Sequence, residues 1–173
     1  LAEHGAGQIG PLLADELVAR GVRVRMVRRG AAGATQPAIE WMRGDVRDEA
    51  AVRRLRERKR RPDKPLAVMF PQRGADGLDA AREELLIGAV EQAALTDPAR
   101  AIVLTTRRAD GRIAPAVAPG LAEIGALLPY SPLHHLLLAA FDRPVVATSG
   151  NVSGEPVLTD PIDAEARLAT VAD

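Results

Sequence analysis

Arg58-Lys59-Arg60-Arg61-Pro62-Asp63-Lys64-Pro65-Leu66-Ala67-Val68-Met69 is the stretch on which the fold turns. Its first half is a run of cations that Pro62 interrupts, because proline lacks the amide proton a helix needs and its ring collides with the preceding turn. Its second half leads into Leu66 to Phe70, an apolar run of strand length. A basic helix end that turns directly into a strand is the joint of an α/β unit. Just upstream, Asp48 stands as N-cap of a helix over Glu49 to Arg60, and Ala51, Val52 and Leu55 supply part of its apolar face.

Downstream the same alternation continues. Gly74 to Gly77 reads as a turn, Ala80 to Leu95 as an amphipathic helix stopped near Pro98, and Ala101 to Thr105 as a strand. Asp110-Gly111 is turn chemistry between strand-like pieces, and Ala114 to Gly120 is a loop carrying Pro115 and Pro119. Ile124 to Leu128 is short and apolar. Leu133 to Phe141 reads as a buried helix, Pro144 to Thr148 as a buried strand running into Ser149-Gly150-Asn151, and Asp163 to Val171 as a last helix. Upstream of Asp48, a helical pattern through Arg20 precedes alternating Val22 to Val27 and a short strand Ile39 to Met42. The whole predicts an α/β fold, one mixed sheet with flanking helices, in which the strand from Val22 to Val27 joins the others.

Composition narrows the function classes. The 173 residues are 47% apolar but only 2% aromatic, so the core must be aliphatic. Lys plus Arg equals Asp plus Glu at 23 each. No global pull toward nucleic acid or membrane follows from that balance. The absence of cysteine removes disulfides, thiolate zinc sites and cysteine nucleophiles. No apolar run approaches the ~20 residues that span a bilayer, and Leu1-Ala2-Glu3-His4 carries no secretory pattern. The expected location is cytoplasmic.

Gly5, Gly7 and Gly10 fit G-x-G-x-x-G ahead of a helix. In a dinucleotide fold these glycines make the turn, admit the pyrophosphate and let helix and strand pack closely. Residues 5 to about 47 resemble the start of the NAD(P)-dependent epimerase and reductase family. That resemblance implies a cofactor-binding set of Gly5, Gly7, Gly10, Arg28, Arg29 and Asp45. Arg28 and Arg29 would clamp a 2′-phosphate and favour NADP, and Asp45 would meet the adenine. The family's opening strand has no counterpart in Leu1 to His4, and its Tyr-x-x-x-Lys is absent. The segment therefore reads first as an inherited Rossmann-like helix–strand piece without cofactor, since the fingerprint needs its strand–turn–helix context.

Lys59, Arg61 and Lys64 gather at a helix end, where fixed cations suit an anionic, phosphate-bearing substrate. Ser149 and Asn151 sit where a strand ends in a glycine-containing loop, the usual place for ligands in α/β sheets. Most of Arg53 to Arg61 reads as a solvated helix face, Lys59 and Arg61 excepted. His134 and His135 are adjacent and lack the i, i+4 spacing of a shared metal site.

Residues 48–173 resemble the YrdC-like domain of HypF-type carbamoyltransferases. The likeness is carried, in order, by Ala51 to Met69, by Ala114-Pro115-Ala116-Val117-Ala118-Pro119-Gly120-Leu121, by Leu128-Pro129-Tyr130-Ser131-Pro132-Leu133-His134-His135-Leu136-Leu137-Leu138, and by Thr148-Ser149-Gly150-Asn151-Val152-Ser153-Gly154-Glu155-Pro156. The resemblance implies formation of carbamoyl adenylate from carbamoyl phosphate and ATP, with magnesium accompanying the nucleotide. It assigns substrate binding to Lys59, Arg61, Lys64, Ser149, Asn151 and Ser153. Related YrdC-like domains make threonylcarbamoyl adenylate, and some bind double-stranded RNA, which extends the partner expectation to RNA. The expected organisation is a dinucleotide-binding fragment over 1–47 and a partial YrdC-like domain over 48–173, whose opening strand and substrate loop the first segment replaces. Catalysis is expected to suffer from that truncation. The alternatives are an NADP-binding module and a non-catalytic folded chimera that forms a homo-oligomer through exposed sheet edges.

Overall fold

The Asp48 carboxylate accepts hydrogen bonds from the amides of Ala50 (2.9 Å) and Ala51 (3.1 Å), and with that cap the first helix begins. This computed structural model describes residues 24–27, 39–42 and 45–171. Strands β1 (Val24–Val27) and β2 (Ile39–Met42) are followed by helix α1 (Glu49–Arg58) and strand β3 (Ala67–Met69). Helices α2 (Asp79–Arg82) and α3 (Ala89–Thr96) come next, then strands β4 (Val103–Thr106) and β5 (Glu123–Leu127), with a 3₁₀ turn at Pro115–Val117 between them. Helix α4 (Pro132–Phe141), strand β6 (Val145–Ala147) and helix α5 (Pro161–Leu168) complete the order.

The main sheet is four-stranded in the order β4-β5-β3-β6. β3 and β5 run parallel, with Val68 opposite Ala126, whereas β6 and β4 pair antiparallel on either side. The expected mixed α/β fold is therefore present. The expected single sheet is not: β1 pairs in parallel with β2, Val24 opposite Ile39, as a separate two-stranded sheet.

One face of the sheet carries the principal core. Val68, Ile124 and Ala126 pack there with Val52 of α1, with Leu66, Phe70, Leu78, Leu85 and Leu95, and with Val117 of the 3₁₀ turn. The opposite face is thinner, with Met69 and Leu127 under Leu138 of α4. Burying aliphatic side chains of this size contributes about 1.5–3 kcal/mol each, so the first face supplies most of the packing stability.

Three further expectations need correction. The predicted helix from Ala80 to Leu95 is two helices, because the segment between them turns to meet β4. Leu85 bridges Arg107, and the amides of Leu86 and Arg108 donate to Thr106 and Glu84 carbonyls. Gly88 then restarts the helix as N-cap of α3, its amide donating to Glu91 Oε2 at 2.9 Å. The helix predicted as buried over Leu133 to Phe141 buries Leu138 alone among its leucines; Leu133 is 54% exposed, with Leu136 and Leu137 also exposed. It covers the thin face of the sheet with one stripe only. The strand predicted as buried over Pro144 to Thr148 is half-buried, because β6 is an edge strand paired to β3 on one side.

Candidate functional site

Helix α1 ends at Lys59, its C-cap residue, and Arg60 follows in a left-handed conformation with φ of 51°. The chain thereby leaves the helix axis and runs through Pro62 into β3. Lys59 is only 1% exposed. Its ammonium donates to the carbonyl oxygens of Ser149 (2.6 Å) and Asn151 (2.9 Å), and its own carbonyl accepts from the Ser153 amide (3.0 Å). Burial, and secondarily the nearby Arg61, pushes the Lys59 pKa below its ordinary 10.5. A lysine ammonium has three donors, so the two carbonyls leave one for a further acceptor.

The loop that Lys59 holds starts just past β6. Ser149 donates its hydroxyl to Asn151 Oδ1 at 2.6 Å, and Asn151 Nδ2 donates to the Glu155 carbonyl at 2.6 Å. Gly154, with φ of +89°, makes the turn that a side chain would strain. Glu155 in turn pairs with Arg167 of α5 at 2.6 Å. Ser149 is exposed, while Asn151 and Ser153 are half-buried.

Arg61 directs its guanidinium at the connection into β3, donating to the carbonyls of Lys64 (3.3 Å) and Pro65 (2.8 Å). Lys64 is exposed. The structure thus brings Lys59, Ser149, Asn151 and Ser153 together by direct hydrogen bonds. Arg61 and Lys64 border that end of the sheet, since Ala67 opens β3 opposite Ala147, shortly before Ser149.

Of the predicted dinucleotide set, Gly5, Gly7, Gly10, Arg28 and Arg29 lie outside the described residues. Asp45 lies within them, and its carboxylate is engaged. Arg47 donates to it from Nε (2.9 Å), Nη2 (2.7 Å) and its amide (3.0 Å), and Arg143 Nη1 approaches to 3.4 Å. The hydrogen bonds from the Arg47 side chain lower its pKa from 3.8 to about 2, against the opposing effect of burial.

Two buried charges were not legible in the sequence. Arg56, expected on a solvated face, is 5% exposed and donates from Nε and Nη2 to the Pro62 carbonyl. Glu84, 4% exposed, accepts from the backbone amides of Arg112 and Ile113 and so fixes the loop ahead of the 3₁₀ turn. A helical-wheel signal exists for Arg56, which lies one turn beyond Val52. Glu84 carries none, because its neighbour Glu83 is exposed and chemically identical.

The comparisons with known proteins fall on this same region. The Sua5_yciO_yrdC family model, described as telomere recombination, matches residues 42–173. The chain belongs to this family. The match begins ahead of the Asp48 boundary drawn from the sequence and takes in Asp45. The carbamoyltransferase HypF of Synechocystis sp. is 43% identical over 129 residues, and that of Rhodobacter capsulatus 45% identical over 134. Each match covers 75% of this chain and 16% of the relative, so the chain spans about a sixth of the length of these relatives. Among solved structures, full-length HypF in the phosphate- and nucleotide-bound form superposes with a TM-score of 0.67 at 36% identity, covering 74% of this chain and 19% of that one. Sua5 of P. abyssi complexed with L-threonine, at 21% identity over 74% of this chain and 37% of that one, shares the fold with a TM-score of 0.58. The YrdC-like assignment and its mixed α/β fold are thereby established. Among the described residues, no helix is long and apolar enough to cross a membrane.

Proposed function

We propose that this chain carries the nucleotide-holding part of a HypF-type carbamoyltransferase, the part that forms carbamoyl adenylate from carbamoyl phosphate and ATP. The observation that carries this reading is the pair of hydrogen bonds from buried Lys59 to the Ser149 and Asn151 carbonyls. They fix a hydroxyl, an amide side chain and an ammonium beside one end of the sheet. The relative solved in phosphate- and nucleotide-bound form supports the choice of ligand class.

In the reaction, a carbamoyl oxygen attacks the α-phosphorus of ATP and the bond to pyrophosphate breaks. Water first cleaves carbamoyl phosphate to phosphate and carbamate, and it is the carbamate oxygen that makes this attack. Negative charge shifts onto the leaving pyrophosphate, and fixed cations and dipoles aimed at it lower the barrier. Lys64, the Lys59 ammonium and Arg61 would be the cations that serve this task. Ser149 and Asn151 would orient the acceptor group, and Ser153 holds the loop through its amide bond to Lys59. Among the described residues no group of three or more His, Cys, Asp or Glu is arranged to hold a metal ion.

The dinucleotide reading gains no support. Its glycines and arginines lie outside the described residues, and the carboxylate it needs at Asp45 is bound by Arg47 and Arg143.

Calorimetric titration with ATP tests the binding reading. The expected result is saturable binding that Lys64→Ala weakens and Asn151→Ala nearly abolishes. Binding of NADP with no response to ATP would overturn it. Carbamoyl-phosphate-dependent exchange of pyrophosphate into ATP reports on catalysis. That exchange is expected to disappear in Lys59→Ala and in Asn151→Ala.

A further inference from the structure

Helix α1 has a second cationic face, turned away from Lys59. Arg53, Arg56, Glu57 and Arg60 follow the i, i+3, i+4, i+7 spacing of one helix side. With Arg61 and Pro62 they line a groove of 290 Å³. Four of its six lining residues are arginines, and Glu57 is the one acidic residue among them.

Arg56 makes this groove unusual. It is 95% removed from solvent by its 5% exposure, no ion pair is formed by it among the described residues, and its Nη1 has no hydrogen-bond partner. Burial and the neighbouring Arg61 both act to lower its pKa, and only Asp63 acts the other way. A buried charge is ordinarily paired, and a buried polar atom without a partner calls for an explanation. Arg53 already spends part of its charge on Glu49 at 2.6 Å, and Arg60 is exposed at the helix end.

We propose that this groove is an oxyanion site for a phosphate-class dianion, formed by Arg53, Arg56 and Arg60 and separate from the Lys59–Asn151 site. Guanidinium forks match the paired oxygens of phosphate, and Arg is more weakly hydrated than Lys, so a cluster of this kind binds such anions readily. An anion there neutralises the Arg56 charge that the protein itself leaves unpaired. Lys59 lies about 120° around the helix from Arg53, at roughly 100° per residue. The two sites therefore use different faces of α1, with Arg61 at their boundary.

The test is titration of the whole chain with inorganic phosphate, and separately with AMP, at ionic strength held constant with chloride. One saturable equivalent is expected that persists in Asn151→Ala, where the nucleotide site is disabled, bound by phosphate alone for a free-anion site and also by AMP for a phosphomonoester site. Arg53→Gln and Arg60→Gln should each weaken it about fivefold, the factor that corresponds to about 1 kcal/mol for a partly exposed charge pair. Asn151→Ala should leave it unchanged. Failure to see saturable binding of either anion would overturn the proposal. So would equal binding by the arginine variants, and so would loss of binding in Asn151→Ala, which would assign the anion to the other site. Both arginines are exposed, so each variant tests the site independently should one of them fold poorly.

Discussion

Lys59 donates its ammonium proton to the Ser149 carbonyl at 2.6 Å across 90 residues of sequence. This bond and its companion to Asn151 join the end of α1 to the loop after β6, so the loop's shape depends on a side chain from the other end of the domain. Lys59→Met keeps the stem's volume and removes both bonds, leaving the Ser149 carbonyl with the Asn151 amide as its donor and the half-buried Asn151 carbonyl without the ammonium. The expected cost is about 2–3 kcal/mol of stability. The decisive measurement is amide hydrogen exchange, which should accelerate at Asn151 and Ser153 well before the core strands. Uniform acceleration throughout the chain would mean that the bonds are not specific to the loop.

Glu84 holds the amides of Arg112 and Ile113 ahead of the 3₁₀ turn that packs against α1. Glu84→Ala should destabilise the chain by about 2–3 kcal/mol, because the buried Ile113 amide and the part-buried Arg112 amide lose their acceptor. Glu84→Gln keeps one acceptor oxygen and should cost markedly less. Chemical unfolding of both variants, compared at equal slope, checks the order.

Asp45 gives a pH dependence of known sign. Its pKa is about 2 folded and near 3.8 when free of Arg47 and Arg143. A carboxyl depressed in this way contributes stability that is fully present above pH 3.8 and lost as pH falls toward 2. The contribution at neutral pH is about 1–2 kcal/mol. Asp45→Asn should lower the unfolding midpoint at pH 7, and its difference from the parent should shrink steadily below pH 4. A difference that persists unchanged at pH 2 would show that packing, not charge, is what the substitution removes.

The elements that the sequence makes legible are those set by local chemistry. Asp48 caps its helix through its own side chain, Pro62 stops it, and the short runs Leu66 to Phe70 and Ala101 to Thr105 fall on β3 and β4, whereas Ile124 to Leu128 reads only as short and apolar and falls on β5. The joint between Lys59 and the Ser149–Asn151 loop was legible in part, since cations at a helix end and a hydroxyl–amide pair after a strand each point to a ligand. That Lys59 would spend two donors on that loop's carbonyls was not, because contact across 90 residues leaves no local trace. The break at Gly88 was hidden for a related reason. The residues from Ala80 to Leu95 keep helical periodicity, but bonds to the end of β4 outweigh it. For α4, apolar composition suggests burial on all sides, whereas the sheet offers contact to Leu138 alone. Arg56 fails the rule that arginine stays in water for want of any local cue beyond its position one turn after Val52.

The central place of β3 bears on how the chain assembles during synthesis. Both partners of β3 lie far downstream of it: Ala67 pairs with Gly125 of β5 and with Ala147 of β6. Until β5 leaves the ribosome, Leu66 to Phe70 has an apolar surface and two open rows of backbone donors and acceptors. Non-local pairing of this kind slows folding and lengthens the interval in which strands can find the wrong partner. The cations from Arg58 to Lys64 sit immediately before that strand. While it waits, they act as charged guards on the nascent chain, a service rendered before any ligand site exists.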